Sequence, residues 1–403
     1  MCFDRSRPWI GLAVVVAVFS VLAAGCSSPS QAPDTTAQTS SQPATPSGPN
    51  LSLLYATAEE GLVFHDARRD SSRTLVPGAV DDSVQARSAS GRYLAFTYRT
   101  ADSTHLALFD RRAQTLQPID ARRTPVTYSL AWHSSEERLA FAYYRPARSG
   151  TRGPGDVFVA TPDGATRDVG CSAAREVLDW LPDGSLATRN DDKLYVVAPS
   201  DCATRASADA RRMRRATYAP SGKHLAYIHR ELTYDRDNRE YTPDSSLMLS
   251  DARGGNAQEL FGHERRVRHL RWGPDATELA FDVRVEASGH RQIAVYNLAR
   301  ERTVYLTPPT QTAADQVHPI WSPSGTHVAF TLRTSTGPQA AVRIEGQTRR
   351  FGLVKGAVGG WVDDRTLVVP GPDSLRVRAL NGSTQYAHPA PTSLIHVWSR
   401  DPA

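Results

Sequence analysis

Lysine is nearly missing from this chain of 403 residues: Lys193, Lys223 and Lys355 are the only ones, so the net charge of +5 rests on arginine. That skew reflects a GC-rich coding habit at least as much as selection for a polyanion, and nothing beyond charge points to nucleic-acid recognition. Cysteine is sparse too, at four residues. Cys2 and Cys26 lie in the N-terminal segment, which leaves only Cys171 and Cys202, one pair rather than a disulfide framework. Catalytic signatures are also absent. There is no Gly-x-Ser-x-Gly elbow, which argues against a serine hydrolase. His263-Glu264 lacks the second histidine of a zincin helix, and Asp235-Arg-Asp237-Asn238 lacks the glycine and distal glutamate of a calcium loop.

What is present begins with an export signal. Arg5 and Arg7 precede a run from Trp9 to Ala24 that is apolar apart from Ser20, too short to span a bilayer comfortably and in the order of a signal peptide. Leu22-Ala23-Ala24-Gly25-Cys26 follows, and it resembles the lipobox of bacterial lipoproteins, with Ala23 where leucine is commoner. The resemblance implies cleavage before Cys26 and diacylation of its thiol; two or three acyl chains make such an anchor stable. Ser27 follows the cysteine; the absence of aspartate there favours the outer over the inner membrane, and in either case a place in the cell envelope. Residues 27–50 are nearly all Ser, Thr, Pro, Gln, Ala and Gly, with Asp34 the one charge. Such a segment cannot bury enough apolar surface to offset its ordering entropy and is expected to be a disordered linker. The expected organisation is a signal peptide over 1–25, the lipidated cysteine and linker over 26–50, and one folded domain over 51–403.

Within that domain one pattern recurs. Trp321-Ser-Pro-Ser-Gly325 leads to His327-Val-Ala-Phe330, and Tyr218-Ala-Pro-Ser-Gly222 leads to His224-Leu-Ala-Tyr227. Further copies start at Arg87, Trp132 and Trp272, and weaker ones at Trp180 and Trp361, spaced 38 to 54 residues apart. Of seven tryptophans, Trp9 belongs to the signal; Trp132, Trp180, Trp272, Trp321, Trp361 and Trp398 all fall in the same slot. Each copy reads as a hairpin: an inner strand ending in the aromatic, a tight Pro-Asp/Ser-Gly turn, then an apolar-Ala-aromatic strand. Two more strands follow, so each copy is a four-stranded blade. The slot tryptophans, Trp321 among them, are expected to be buried.

These motifs resemble the TolB-type, WD-like propeller repeat of bacterial envelope proteins, over Leu51 to Ala403. The resemblance implies an all-β propeller and is specific for fold rather than activity. Arg87, Glu136 and Arg365 depart from its pattern, giving the first, second and seventh copies altered turns. Leu394 to Asp401 supplies an inner strand with no partners after it, and Leu51 to Val76 supplies three strands with no inner strand before them. Joined, they close a ring of eight blades; seven is the alternative if one weak copy is degenerate. That register puts Cys171 and Cys202 on opposite faces of neighbouring blades. An oxidising compartment invites their bond while the register argues against it.

In such a ring, the loops leading into each blade and those between its second and third strands open on one face. Arg211, Arg212, Arg214 and Arg215 lead into blade four, and His263, Arg265, Arg266, Arg268 and His269 into blade five. An inner loop over Glu231 to Asp244, with Tyr234 and Tyr241, joins them, as does Arg145 to Gly155. The expected function is a non-catalytic scaffold binding a protein or an anionic envelope polymer. The tyrosines would serve either as interface anchors or as loop packing. The enzymatic alternative is a metal-assisted polysaccharide lyase or hydrolase, with His263, His269 and His318 as ligands, His396 nearby, and Glu176 and Tyr128 as acid–base groups. The scaffold reading needs no cofactor.

Overall fold

A computed structural model describes residues 49–399 except 124–125, 145–155, 172–173, 236–239, 263–265, 287, 308–313, 345–346, 354–358, 371–373 and 390–392. The signal, Cys26, the linker up to residue 48, His263, Arg265 and the 145–155 loop therefore lie outside the described residues, as do the side chains of Tyr234 and Tyr241. Thirty-two strands, numbered in chain order, form eight four-stranded antiparallel sheets. Seven sheets use four consecutive strands each. The eighth joins β32 (Ser393–Ser399) to β1 (Leu51–Thr57), β2 (Gly61–Asp66) and β3 (Ser71–Val76), with Leu54 opposite His396 and Leu51 opposite Ser399. Counting from the sheet that begins at Val80, this is blade eight, and the ring closes as the orphan strands at the two ends require.

The apolar-Ala-aromatic strand is buried on both faces, because each blade is sandwiched between two others. Leu94, Ala95 and Phe96 show it. Leu94 and Phe96 pack with Leu54, Leu62 and Phe64 of blade eight, while Ala95 turns to blade two and makes room for Trp132, Leu139 and Phe141. Large residues toward one neighbour and a small one toward the other let the sheets interdigitate. One apolar cluster fills each of the eight interfaces between blades.

The tryptophan slot has a polar reason as well. Trp132, Trp180, Trp272, Trp321 and Trp361 donate their indole N–H to the carbonyls of Ala86, Ala131, Thr217, Arg271 and Ile320, at 2.9 to 3.1 Å. Each acceptor is the residue just before the slot of the preceding blade, so every such ring stitches two inner strands together. A packed indole N–H needs an acceptor, which phenylalanine could not use. The turn glycine adds a second constraint: Gly222 has φ +64°, and a Cβ there would lie 2.4 Å from Cδ of Pro182 in the preceding blade's turn. In blade five Ala276 stands in this position at φ 61°, a conformation that costs a Cβ-bearing residue about 1–2 kcal/mol.

Two expectations are corrected. Burial of the slot is not uniform: Trp132 and Trp180 are 8% and 4% exposed, whereas Trp272, Trp321 and Trp361 are only half-buried. Cys171 and Cys202 do form a disulfide, with Cα atoms 5.3 Å apart. The blade register misled because β11 (Thr166–Asp168) has only three residues. The chain leaving it has crossed only about 10 Å of blade two. From there Cys171 drops into the core between blades two and three, beside Trp180 and Val197, where Cys202 also packs.

Candidate functional site

The face carrying the loops into each blade is dominated by blade four. There β17 (His224–Asp235) and β18 (Glu240–Asp251) run 12 residues each. The last backbone tie to the inner strand on that side is the Arg230 N–H to the Arg212 carbonyl, at 2.8 Å. Beyond it, five further pairs continue from Glu231 opposite Asp244 to Asp235 opposite Glu240, with Tyr234 opposite Tyr241. The expected loop over Glu231 to Asp244 is thus a two-stranded ribbon, extending about 17 Å at the rise of a strand.

The basic residues at its foot play different parts. Arg212 is paired with Glu231 at the base of the ribbon. Arg214 folds back, its Nη1 donating to the carbonyls of Met213 at 2.8 Å and Arg211 at 3.1 Å. Arg211 lies 3.5 Å from Asp209. Arg215, Arg266 and Arg268 are exposed and form no ion pair among the described residues.

Toward the channel, a bulge in the inner strands of blades four, five and six puts Arg215, His269 and His318 at equivalent positions, with φ of 51°, 51° and 58°. Such bulges re-aim side chains, here at three successive sectors of the ring. The His269 and His318 ring centroids are 3.8 Å apart. His269 Nδ1 donates to Asp282 Oδ1 at 2.5 Å, since an ionised carboxylate only accepts. Arg291 grips the other carboxylate oxygen and donates to the Arg266 carbonyl at 2.6 Å. Burial pushes the Asp282 carboxyl up, but the His269 hydrogen bond and the Arg291 charge outweigh it and hold it below the ordinary range. His318 is pushed down to about 4, chiefly by burial and then by His269, with Arg333 and Arg271 adding.

Arg271 and Asp179 escaped the sequence reading. Both stand just before the slot aromatic, where other blades carry Ala86, Ala131, Thr217, Ile320 or Gly360. A charge at a position otherwise small or neutral was the available signal. Arg271 is solvent-reached, and protein packed around it lowers its guanidinium by desolvation, with Arg215 adding; its one hydrogen-bond acceptor among the described residues is the Leu270 carbonyl, at 3.1 Å. Asp179 is pushed up to about 7 by burial, with only the Trp180 N–H at 2.8 Å opposing.

The remaining enzymatic candidates have structural partners. Glu176 is bound by Arg189, with Nε at 3.0 Å. Tyr128 is buried, donates to Asp120 at 2.9 Å, and has its phenol raised by burial and then by Asp120. His396 lies on β32, pushed down to about 3 by burial and then by Arg87 and Arg111 of blade one rather than by the other histidines. Among the described residues no group of three or more His, Cys, Asp or Glu could hold a metal ion.

These features define an eight-bladed, all-β propeller with basic residues at the entries to blades four and five and, among the described residues, one projecting ribbon. No family model and no curated protein matches the sequence. Solved structures do. A eukaryotic initiation factor is similar with a TM-score of 0.53 and 12% identity, over 86% of this chain and 98% of that one. Dipeptidyl peptidase 4 of Porphyromonas gingivalis gives 0.51 and 13%, over 72% of this chain and 48% of the peptidase. TolB from Acinetobacter baumannii gives 0.45 and 11%, over 86% and 80%. At these identities the likeness is one of fold, and the chain spans about half of the peptidase.

Proposed function

We propose that this protein is a lipid-anchored propeller of the bacterial cell envelope that binds, without catalysis, an anionic protein segment or envelope polymer across the ribbon-bearing face. The observation that carries the reading is that Arg215, Arg266 and Arg268 stand exposed, without carboxylate partners among the described residues, on the segments that enter blades four and five, the face from which the β17–β18 ribbon projects. Unpaired guanidiniums gathered on one face attract anions, and Arg271, further along the inner strand that starts at Arg268 and close enough to Arg215 for their charges to interact, adds to that field. Tyr234 and Tyr241 would supply contact area on the ribbon. The anchor rests on the lipobox ending at Cys26, and the Cys171–Cys202 disulfide is in keeping with an oxidising compartment.

The test is a crosslinking pulldown from envelope extracts with the wild type and an Arg215→Gln/Arg268→Gln/Arg271→Gln variant. Capture is expected to fall with salt and with the substitutions; capture indifferent to both would place the binding surface elsewhere. Cys26→Ser should move the protein from membranes to the soluble fraction.

One observation favours a second reading, metal-assisted cleavage of a polysaccharide. Asp282 fixes the His269 tautomer and leaves its Nε2 lone pair beside His318, the way carboxylates orient metal-binding imidazoles. Two imidazoles are an incomplete set, and His263 would have to supply a third ligand. Metal analysis of the wild type against His269→Ala decides it: a metal-free wild type ends this reading.

A further inference from the structure

On the opposite face, where the turns between first and second strands lie, a groove of about 280 Å³ opens between blades five and six. Its origin is legible in two substitutions within the repeat. Trp180, at the corresponding interface, is covered by the turn of the blade before it: the His133 ring lies edge-on at 4.9 Å and the Arg138 guanidinium sits over the indole at 5.1 Å. Counted from the slot, blade five carries Gly273 where blade two has His133, and Glu278 where it has Arg138. Gly273 has no side chain to cover Trp321, and Glu278 is tied to Asn297 at 2.9 Å. The Trp321 ring is left as a wall of the groove.

The other walls are two-sided in chemistry. Val295, Val304, Leu306 and Val328 make them apolar, and Val304 is 49% exposed, one of two large apolar side chains so exposed among the described residues. Arg300, Arg302 and Arg343 also line the groove, and none of their guanidiniums has an ion pair among the described residues. Arg343 is half-buried, and desolvation holds its guanidinium below the ordinary value. Among the described residues lining the groove, three guanidiniums stand against the one Glu278 carboxylate, an excess of two positive charges beside its apolar walls.

We propose that this groove is a binding site for a small amphipathic carboxylate, its aromatic or aliphatic body against Trp321 and Val304 and its carboxylate on Arg343 and Arg302. A half-buried guanidinium gains most from a planar carboxylate, which it can meet with two parallel hydrogen bonds. The apolar walls select a hydrocarbon body over a hydroxylated one, because sugar hydroxyls would lose water without finding partners there. The volume suits a ligand at the small end of the usual range. The site is independent of the channel mouth and of the function proposed for it.

Ligand-detected NMR on the purified protein provides the test, with 3-phenylpropionate, its amide, acetate and glucuronate as probes. The acid is expected to bind at about millimolar strength or better, and the amide, acetate and glucuronate at least about tenfold more weakly. Arg343→Gln should weaken the acid by about tenfold or more, while Arg214→Gln on the other face leaves it unchanged. Should Arg343→Gln not fold, the exposed Arg302→Gln carries the same expectation. Three results would overturn the proposal: no binding of the acid up to about 10 mM, equal binding of acid and amide, or a preference for glucuronate.

Discussion

Two interfaces between blades, built from the same repeat and the same tryptophan bond, have opposite characters. Between blades two and three, twelve buried residues among those described pack together, a disulfide crosses, and Trp180 is covered by His133 and Arg138. Between blades five and six the buried cluster has five of the described residues, and Trp321 stands open to a groove. The indole hydrogen bond is present at both, at 3.1 and 3.0 Å. The hydrogen bond therefore sets where a blade sits, while the side chains around the ring decide whether the seam is a core or a site.

The largest effect expected to separate the two is Trp180→Ala, which should cost about 3 to 5 kcal/mol, against about 1 to 2 kcal/mol for Trp321→Ala, where less area and one hydrogen bond are lost. Equal losses in denaturant melts would erase the contrast. Next, Cys171→Ser with Cys202→Ser should remove about 3 to 4 kcal/mol, the loop-closure term for a separation of 31 residues; a smaller loss would mean that the apolar cluster alone holds that seam.

Acid should act through three histidines: His318 in blade six, His388 on β31 (Thr384–Pro389) of blade seven, and His396 on β32. His318 and His388 titrate near 4 in the fold and His396 near 3, each depressed first by burial, against about 6.5 in the unfolded chain. Above about pH 6.5 they are neutral in both states and their contribution to stability is intact. Below it the unfolded chain takes up protons first, so stability falls as pH drops toward about 4 and levels off below about 3. Tm should be several degrees lower at about pH 4.5 than at about pH 7.5, and His318→Gln should flatten the profile. The smallest effect is a gain: Ala276→Gly, at φ 61° in the turn of blade five, should stabilise by about 1 kcal/mol, whereas Gly222→Ala in blade four should destabilise.

The eight blades and the interlocking termini were readable because sandwiching imposes a pattern no surface segment has: an aromatic, a tight turn and an alanine between two large residues, repeated with every sector. Features that depend on a neighbouring blade were not. Exposure of Trp321 is decided by Gly273, which lies 48 residues earlier in the chain. The disulfide depends on the shortness of β11, and the ribbon on the pairing of Glu231–Asp235 with Glu240–Asp244 beyond the inner strand of blade four. Arg211 to Arg215 lead into blade four, but which of these arginines lack a carboxylate partner among the described residues was set by Asp209 and Glu231, which lie outside the basic run. Arg271 was concealed by standing next to a residue that mattered for the fold.

Hydrogen exchange of the intact protein, followed by mass spectrometry, bears most directly on the difference between the two seams. Peptides from blades two and three around Trp180 should exchange only with global unfolding, and those around Trp321, from β22 (Arg291–Asn297) through β25 (Val328–Thr334), should open locally at lower free energy. Uniform protection around the ring, or earlier opening at Trp180, would contradict the claim that one repeat builds both a core and a site.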